Sequence, residues 1–257
     1  MITLEARSPV APYEWGEAEA QMRRDLAAAY RLVALYGWED LVATHISARV
    51  PGEGDTFLIN PFGMLFEDIT ASSLIKVNAE GEILSPTSYP INRAGFVIHS
   101  AIHMVRHDAA CVMHLHTLDG VAVSMLEDGI LPLNQTAMLV ASDIAFHEYE
   151  GVAVNLAERE RLQADLGDKN LMLLRNHGTL SLGQSVAGAF VRMYYLERSC
   201  SVQIRAMSTG RPLHEAPADV VTQMAKQNPG KADSFARELV WPALLQKLDR
   251  LDPSYRD

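Results

Sequence analysis

Two cysteines in 257 residues cannot build a disulfide framework. One of them, Cys111, sits inside an apolar, strand-like run, so a reducing, cytoplasmic setting is expected. No stretch of about 18 apolar residues occurs, which excludes a transmembrane helix. Met1 to Trp15 has no basic segment leading into an apolar core, so no secretory signal is expected. Nor is there an excess of basic residues. A net charge of −10 argues against a nucleic-acid partner, which calls for a basic patch. It leaves room for a local basic pocket and a small-molecule substrate. What the chain does have is 48% hydrophobic residues, enough for a substantial core.

The run Cys111-Val112-Met113-His114-Leu115-His116-Thr117 organises the reading. On a strand, residues two apart share a face, so His114 and His116 project together while Met113 and Leu115 go to the other side. Two imidazoles at the end of a buried strand are costly to desolvate unless their lone pairs are used. Neutral imidazole is a good ligand for zinc and related divalent ions, and hydrogen bonding at a strand end is the plainer alternative. A second apolar run, Leu171 to Asn176, leads into His177-Gly178. Three protein ligands with one open position is the usual form of a catalytic zinc site. If the two strands are neighbours in one sheet, His114, His116 and His177 converge. Gly178 is expected to permit a tight turn beside His177.

Around these runs the pattern alternates. Residues 1–16 read as a loose arm, and Glu14 to Tyr36 as a helix stopped by Gly37. His45–Val50, Thr56–Asn60, Leu74–Asn78 and Ile83–Ser85 read as strands joined by turns. Asn92–Arg106, Thr117–Leu126, Asn155–Leu166 and Ser185–Ser208 read as helices, with Asn155 as an N-cap. Ile144–Phe146, Val152–Val154 and Thr179–Leu182 read as further strands, while Leu133–Val140 is undecided between helix and loop. Residues 211–232 are polar and proline-containing, and Asp233–Leu251 is a helix bent at Pro242. Strands separated by helices, with early hairpins, give an α/β fold with a mixed sheet covered on both faces. The expected domain spans 17–210, with 211–257 a C-terminal extension docked on its own core or on a neighbouring subunit.

Taken together, the helix before His45–Arg49, the Ile59-Asn60-Pro61-Phe62-Gly63 turn, His114-x-His116 and Asn176-His177-Gly178 resemble the class II aldolase/adducin family over residues 17–210. The resemblance implies a three-layer α/β/α sandwich with a mixed central sheet. It also implies a divalent ion, zinc first and manganese, iron or cobalt as alternatives, held by His114, His116 and His177. A homotetramer is implied as well, with active sites at subunit interfaces. The sugar-phosphate aldolases of the family carry a glutamate acid/base in a Ser-Ser-Glu segment. The matching segment here is Arg93-Ala94-Gly95, so the glutamate and the phosphate-binding serines are missing. This places the chain nearer the adducin-like branch.

Four residues are candidates to replace the glutamate. Arg93 suits a substrate carboxylate through its two-pronged guanidinium, or it is simply solvated. His45 and His99 suit proton transfer, or they orient a loop and pack a helix. Tyr149 suits an acid contributed across an interface, or it is a packed ring with a wet hydroxyl. His99, His103 and His107 recur at every fourth residue, but the glutamate of a zinc-protease helix is absent, and His103 and His107 are expected at the surface. Two functions follow. One is a metal-dependent lyase that cleaves a carbon–carbon bond in a small hydroxy-carbonyl or carboxylate substrate by aldol cleavage or decarboxylation. The other is an adducin-head-like oligomerisation or binding module with little or no catalysis.

Overall fold

The structure, a computed structural model, describes residues 14–151, 157–227 and 232–257. The expected arm falls largely outside these residues. The strand at Val152–Val154 and the Asn155 cap fall wholly outside them.

Helix α1 (Glu17–Leu35) ends where Gly37 adopts a φ of 66°, which a side chain disfavours. Strands β1 (His45–Arg49), β2 (Thr56–Ile59) and β3 (Ile75–Asn78) follow as an antiparallel meander. Beyond β3, Ile83 makes one isolated bridge to Val77 and the expected Ile83–Ser85 strand goes no further. Then come α2 (Arg93–Val105), β4 (Cys111–Leu115), α3 (Leu118–Ser124), α4 (Gln135–Val140) and β5 (Ile144–His147). The undecided segment is thus a helix from Gln135, and its N-cap Asn134 accepts from the Ala137 N–H at 3.1 Å. Helix α5 (Glu158–Leu166), β6 (Leu171–Leu174), β7 (Gly178–Gly183) and α6 (Val186–Met207) complete the domain.

The seven strands form one sheet in the order β3-β2-β1-β4-β7-β6-β5. Every neighbouring pair is antiparallel except β5 and β6, so the sheet is mixed. Alternation sorts the side chains of each strand between two cores. Cys111, Met113 and Leu115 of β4 enter the larger core with Leu26, Phe190 and Leu196 from α1 and α6. Val112 enters the smaller one with Ile98, Ile102 and Leu162 from α2 and α5. Helices therefore cover both faces, which makes an α/β/α sandwich. His114 stands on the side of Val112, under α2.

The β4 and β6 strands are not neighbours. Strand β7 lies between them, paired with both. The convergence made conditional on adjacency above is thus met across β7, which the tight β6–β7 hairpin folds into the gap and which pairs with β6 as expected.

The C-terminal segment packs on the chain's own core. It holds α7 (Ala218–Lys226), inside the polar, proline-containing stretch, then α8 (Ala232–Phe235) and α9 (Trp241–Leu251). No residue of α7 is fully buried, and its half-buried residues Val221, Met224 and Ala225 lie along one face. The Trp241 indole N–H donates to Asp25 at 2.9 Å, its ring is 5.9 Å from Phe190, and Leu248 and Tyr255 are buried. Pro242 is accommodated by a π-helical turn over Ala236–Val240 rather than by a break. Proline has no N–H for the carbonyl four residues back, and a widened turn relieves the clash of its ring. Among the described residues, no helix is long and apolar enough to cross a membrane.

Candidate metal centre

Three histidines meet at the end of β4 and the turn that precedes β7. The rings of His114, His116 and His177 form a near-equilateral triangle, with centroids 4.8, 4.7 and 4.8 Å apart. One nitrogen from each lies within 4.8 Å of the other two. His177 reaches this point because the β6–β7 turn is three residues long, with its N–H bonded to the Leu174 carbonyl at 3.1 Å. The left-handed residue of the turn is Asn176, at φ 56°, and not the expected Gly178. Gly178 serves a different purpose. A β-carbon there would lie 2.4 Å from the Leu115 carbonyl oxygen and 3.0 Å from the His116 ring. Only glycine lets the turn close against β4.

Hydrogen bonds set the tautomers. His114 Nδ1–H donates to the Thr179 carbonyl at 3.0 Å, and His116 Nδ1–H donates to the Asp40 carboxylate at 2.9 Å. With both rings neutral, their Nε2 atoms are bare, and they face each other at 3.0 Å. Two lone pairs at that distance repel unless a cation lies between them. Zinc–nitrogen bonds of about 2.0–2.1 Å in a tetrahedron hold ligand nitrogens roughly 3.3 Å apart, close to the 3.0 Å between the His114 and His116 nitrogens. Carboxylate–histidine and carbonyl–histidine pairs of this kind are the usual outer support of a metal ligand. Burial and the nearby His116 and His147 push the His177 imidazole down to about 4, so it is neutral and able to ligate at pH 7. Burial, with His177 and His45 close by, holds His114 far below the usual histidine range. The donor set fits a divalent ion.

The chain belongs to the class II aldolase and adducin family. The sequence pattern of the Class II Aldolase and Adducin N-terminal domain matches residues 24–204. A Caulobacter vibrioides protein named provisionally as a class 2 aldolase is 52% identical over 241 residues, 94% of each chain. Mouse alpha-adducin is 43% identical over 202 residues, 77% of this chain but 27% of the adducin. Among solved structures, an aldolase II superfamily protein from Pseudomonas syringae superposes with a TM-score of 0.89 at 48% identity, covering 95% of this chain and 98% of that one. L-Fuculose 1-phosphate aldolase from Glaciozyma antarctica PI12 gives 0.82 at 27% identity, covering 96% and 97%.

The four candidates for the missing glutamate have different surroundings. His45 opposes His114 across the β1–β4 pairing, with ring centroids 5.2 Å apart. Its ring lies over Gly95, the position that the family resemblance assigns to the aldolase glutamate. His99 is buried on α2, with Nε2 2.8 Å from His45 Nδ1. Its own Nδ1 is 2.5 Å from Ser47 Oγ, which is 2.8 Å from His103 Nε2. A buried file of His45, His99, Ser47 and His103 thus runs away from the site. His103 is not at the surface as expected. It is 1% exposed and stacked on Phe57 at 4.4 Å, because the α2 face toward the sheet carries it. Tyr149 is 54% exposed, and its ring is 6.1 Å from the chain's own His177. Arg93 is exposed at the first turn of α2 and lines a cavity there.

Several polar residues around the site carried no sequence signal. Asp40 sits in a loop 76 residues before its partner. Glu197 of α6 accepts from the Thr117 hydroxyl and, at 2.7 Å, from the Thr179 hydroxyl, beneath the ligand-bearing backbone. Burial raises its carboxyl to about 7 despite those two bonds. His147 is buried with Asp165 at 2.7 Å and Glu158 at 3.5 Å, near His177. The i,i+2 spacing on β4 was readable. Partners drawn from distant loops and helices were not.

Proposed function

We propose that the chain is a divalent-metal-dependent lyase acting on a small hydroxy-carbonyl or carboxylate substrate, by aldol-type carbon–carbon cleavage or decarboxylation. The observation that carries this is the pair of bare Nε2 atoms of His114 and His116, 3.0 Å apart, with His177 completing the triangle. His114, His116 and His177 would hold the ion, zinc first, with manganese, iron or cobalt as alternatives. A bound ion supplies Lewis-acid polarisation of a substrate oxygen. His45 takes the place of the family glutamate and moves the proton at its Nε2. Ser47 supports this role because its hydroxyl donates to either His103 or His99. In the first arrangement His45 Nδ1–H points to His99 and Nε2 is a base. In the second, His99 Nε2–H points to His45 Nδ1 and Nε2 carries a proton. Tyr149 and Arg93 orient the substrate, the first beside His177 and the second at the head of α2.

By the same family resemblance the working form is a homotetramer built on a 17–210 domain with its 211–257 extension. A cytoplasmic setting suits two buried, free cysteines. The absence of an acid at Gly95 favours a second reading, a binding module like the adducin head. Elemental analysis of the purified protein beside a His114→Ala/His116→Ala variant separates them. About one divalent ion per chain, lost in a variant that keeps its circular dichroism, supports the lyase, and metal-dependent cleavage of hydroxy-keto acids or aldols then identifies its reaction. No ion after incubation with zinc or manganese sinks it in favour of the binding module.

A further inference from the structure

An open cavity of about 590 Å³ lies between the first turns of α2, helix α5 and the turn at residues 80–83. That volume is within the roughly 300–1,000 Å³ of small-molecule sites. Its wall is apolar where Phe96, Val97 and Ile91 stand, and cationic where Arg93 and Arg159 approach from different helices. Phe96 is a fixed wall, since it belongs to a buried cluster with Phe57, Ile59, Ile75 and Val77. The Arg159 guanidinium carbon is 5.8 Å from the Phe96 ring centroid. Arg159 Nε is buried and has no hydrogen-bond partner among the described residues. A buried donor on a permanent cation is seldom left unpaired, and a planar anion answers its geometry.

The lining also selects the anion. Glu80 is on the same wall, so two arginines and one glutamate leave a net charge of +1. That suits a monoanion better than a dianionic phosphate. A neutral sugar could accept from Arg159 Nε through a hydroxyl, but it would leave the guanidinium charge unpaired and meet an apolar surface. The cavity and the proposed reaction centre share the first turns of α2. Arg93, Phe96 and Val97 flank Gly95, on which the His45 ring rests.

We propose that this cavity binds the carboxylate of an organic acid with an apolar body, and that such acids are the substrate class of the metal centre. The second half rests on the lyase reading and the first does not. Arg159 pairs with the carboxylate, Arg93 assists, and the apolar body lies against Phe96 and Val97.

The test is calorimetric titration of the full-length protein, metal-stripped and zinc-loaded, with hexanoate, hexan-1-ol and inorganic phosphate. Hexanoate is expected to bind both forms, with hexan-1-ol and phosphate at least tenfold weaker. Arg159→Gln is expected to weaken hexanoate at least tenfold while leaving the melting temperature and zinc affinity unchanged. Arg93→Gln, at an exposed position, is expected to weaken it by a smaller factor. Absent hexanoate binding, or binding indifferent to both arginine variants, overturns the proposal, as does phosphate binding tighter than hexanoate. Should hexanoate bind through Arg159 in a protein that takes up no metal, the cavity stands and the lyase reading falls. Should zinc bind and hexanoate not, the cavity proposal alone falls.

Discussion

His45 occupies the space that a side chain at Gly95 would need. A β-carbon on residue 95 would fall 2.1, 2.2 and 2.7 Å from three atoms of the imidazole, and neither residue can grow while the other stays. By the family resemblance, residue 95 is where the sugar-phosphate aldolases carry their glutamate.

Gly95→Ala is therefore expected to destabilise the protein by about 1–3 kcal/mol, the usual cost of overpacking. In a His45→Gly background the same change is expected to cost little. A double-mutant cycle by chemical denaturation measures the coupling. Equal costs in both backgrounds would show that the ring moves aside freely.

Gly178→Ala places a carbon 2.4 Å from a backbone oxygen of β4, which has no rotamer to yield. The β6–β7 hairpin must lift, carrying His177 with it. Zinc affinity, read by competition with a chromophoric chelator, is expected to fall at least tenfold, and the melting temperature to drop by several degrees. An unchanged affinity would mean that His177 is not a ligand.

Asp40→Ala removes the carboxylate that fixes the His116 tautomer. Loss of such a partner typically costs 10–100-fold in metal affinity. Because Asp40 is half exposed, the metal-free protein is expected to melt at an unchanged temperature. Coincident loss of stability would point to a structural role for the pair.

Acid is expected to unfold the metal-free protein. Burial pushes His103 down to about 3 and His177 to about 4, and holds His45, His99 and His114 far below the usual range. Each of these rings binds its proton more readily in the unfolded chain. Stability is thus complete above the unfolded value of about 6.5 and falls as pH drops below it, by up to about 1.4 kcal/mol per pH unit for each histidine. Unfolding midpoints in urea from pH 8 to 4 report this slope, and a flat profile would contradict the burial of the histidine file.

Glu197 works in the opposite direction. Its carboxyl, raised to about 7, favours the folded state when protonated, so stability is lost as pH rises from the usual carboxylate range toward 7. Glu197→Gln is expected to gain stability relative to the parent over that interval and to hold the gain above it. A pH-independent difference would place the Glu197 charge elsewhere than beneath the site.

Much of the fold was legible because it depends on short-range periodicity. Alternation on β4 set His114 and His116 on one face, opposite Met113 and Leu115. The apolar stripe of α1 and its stop at Gly37 also follow from neighbouring residues. The presence of three histidines suited to one divalent ion, and the absence of an acid at residue 95, are properties of the sequence alone. Strand order is not. Strand β7 inserts between β4 and β6 because antiparallel pairing across a three-residue turn costs less chain entropy than leaving β4 beside a more distant strand. The functions of Gly178 and Gly95, the burial of His103, and the approach of Asp40, Glu197 and Arg159 depend on contacts between residues far apart in the chain. No local pattern encodes such contacts. They exist only once the sheet has formed and two helical layers have closed on it.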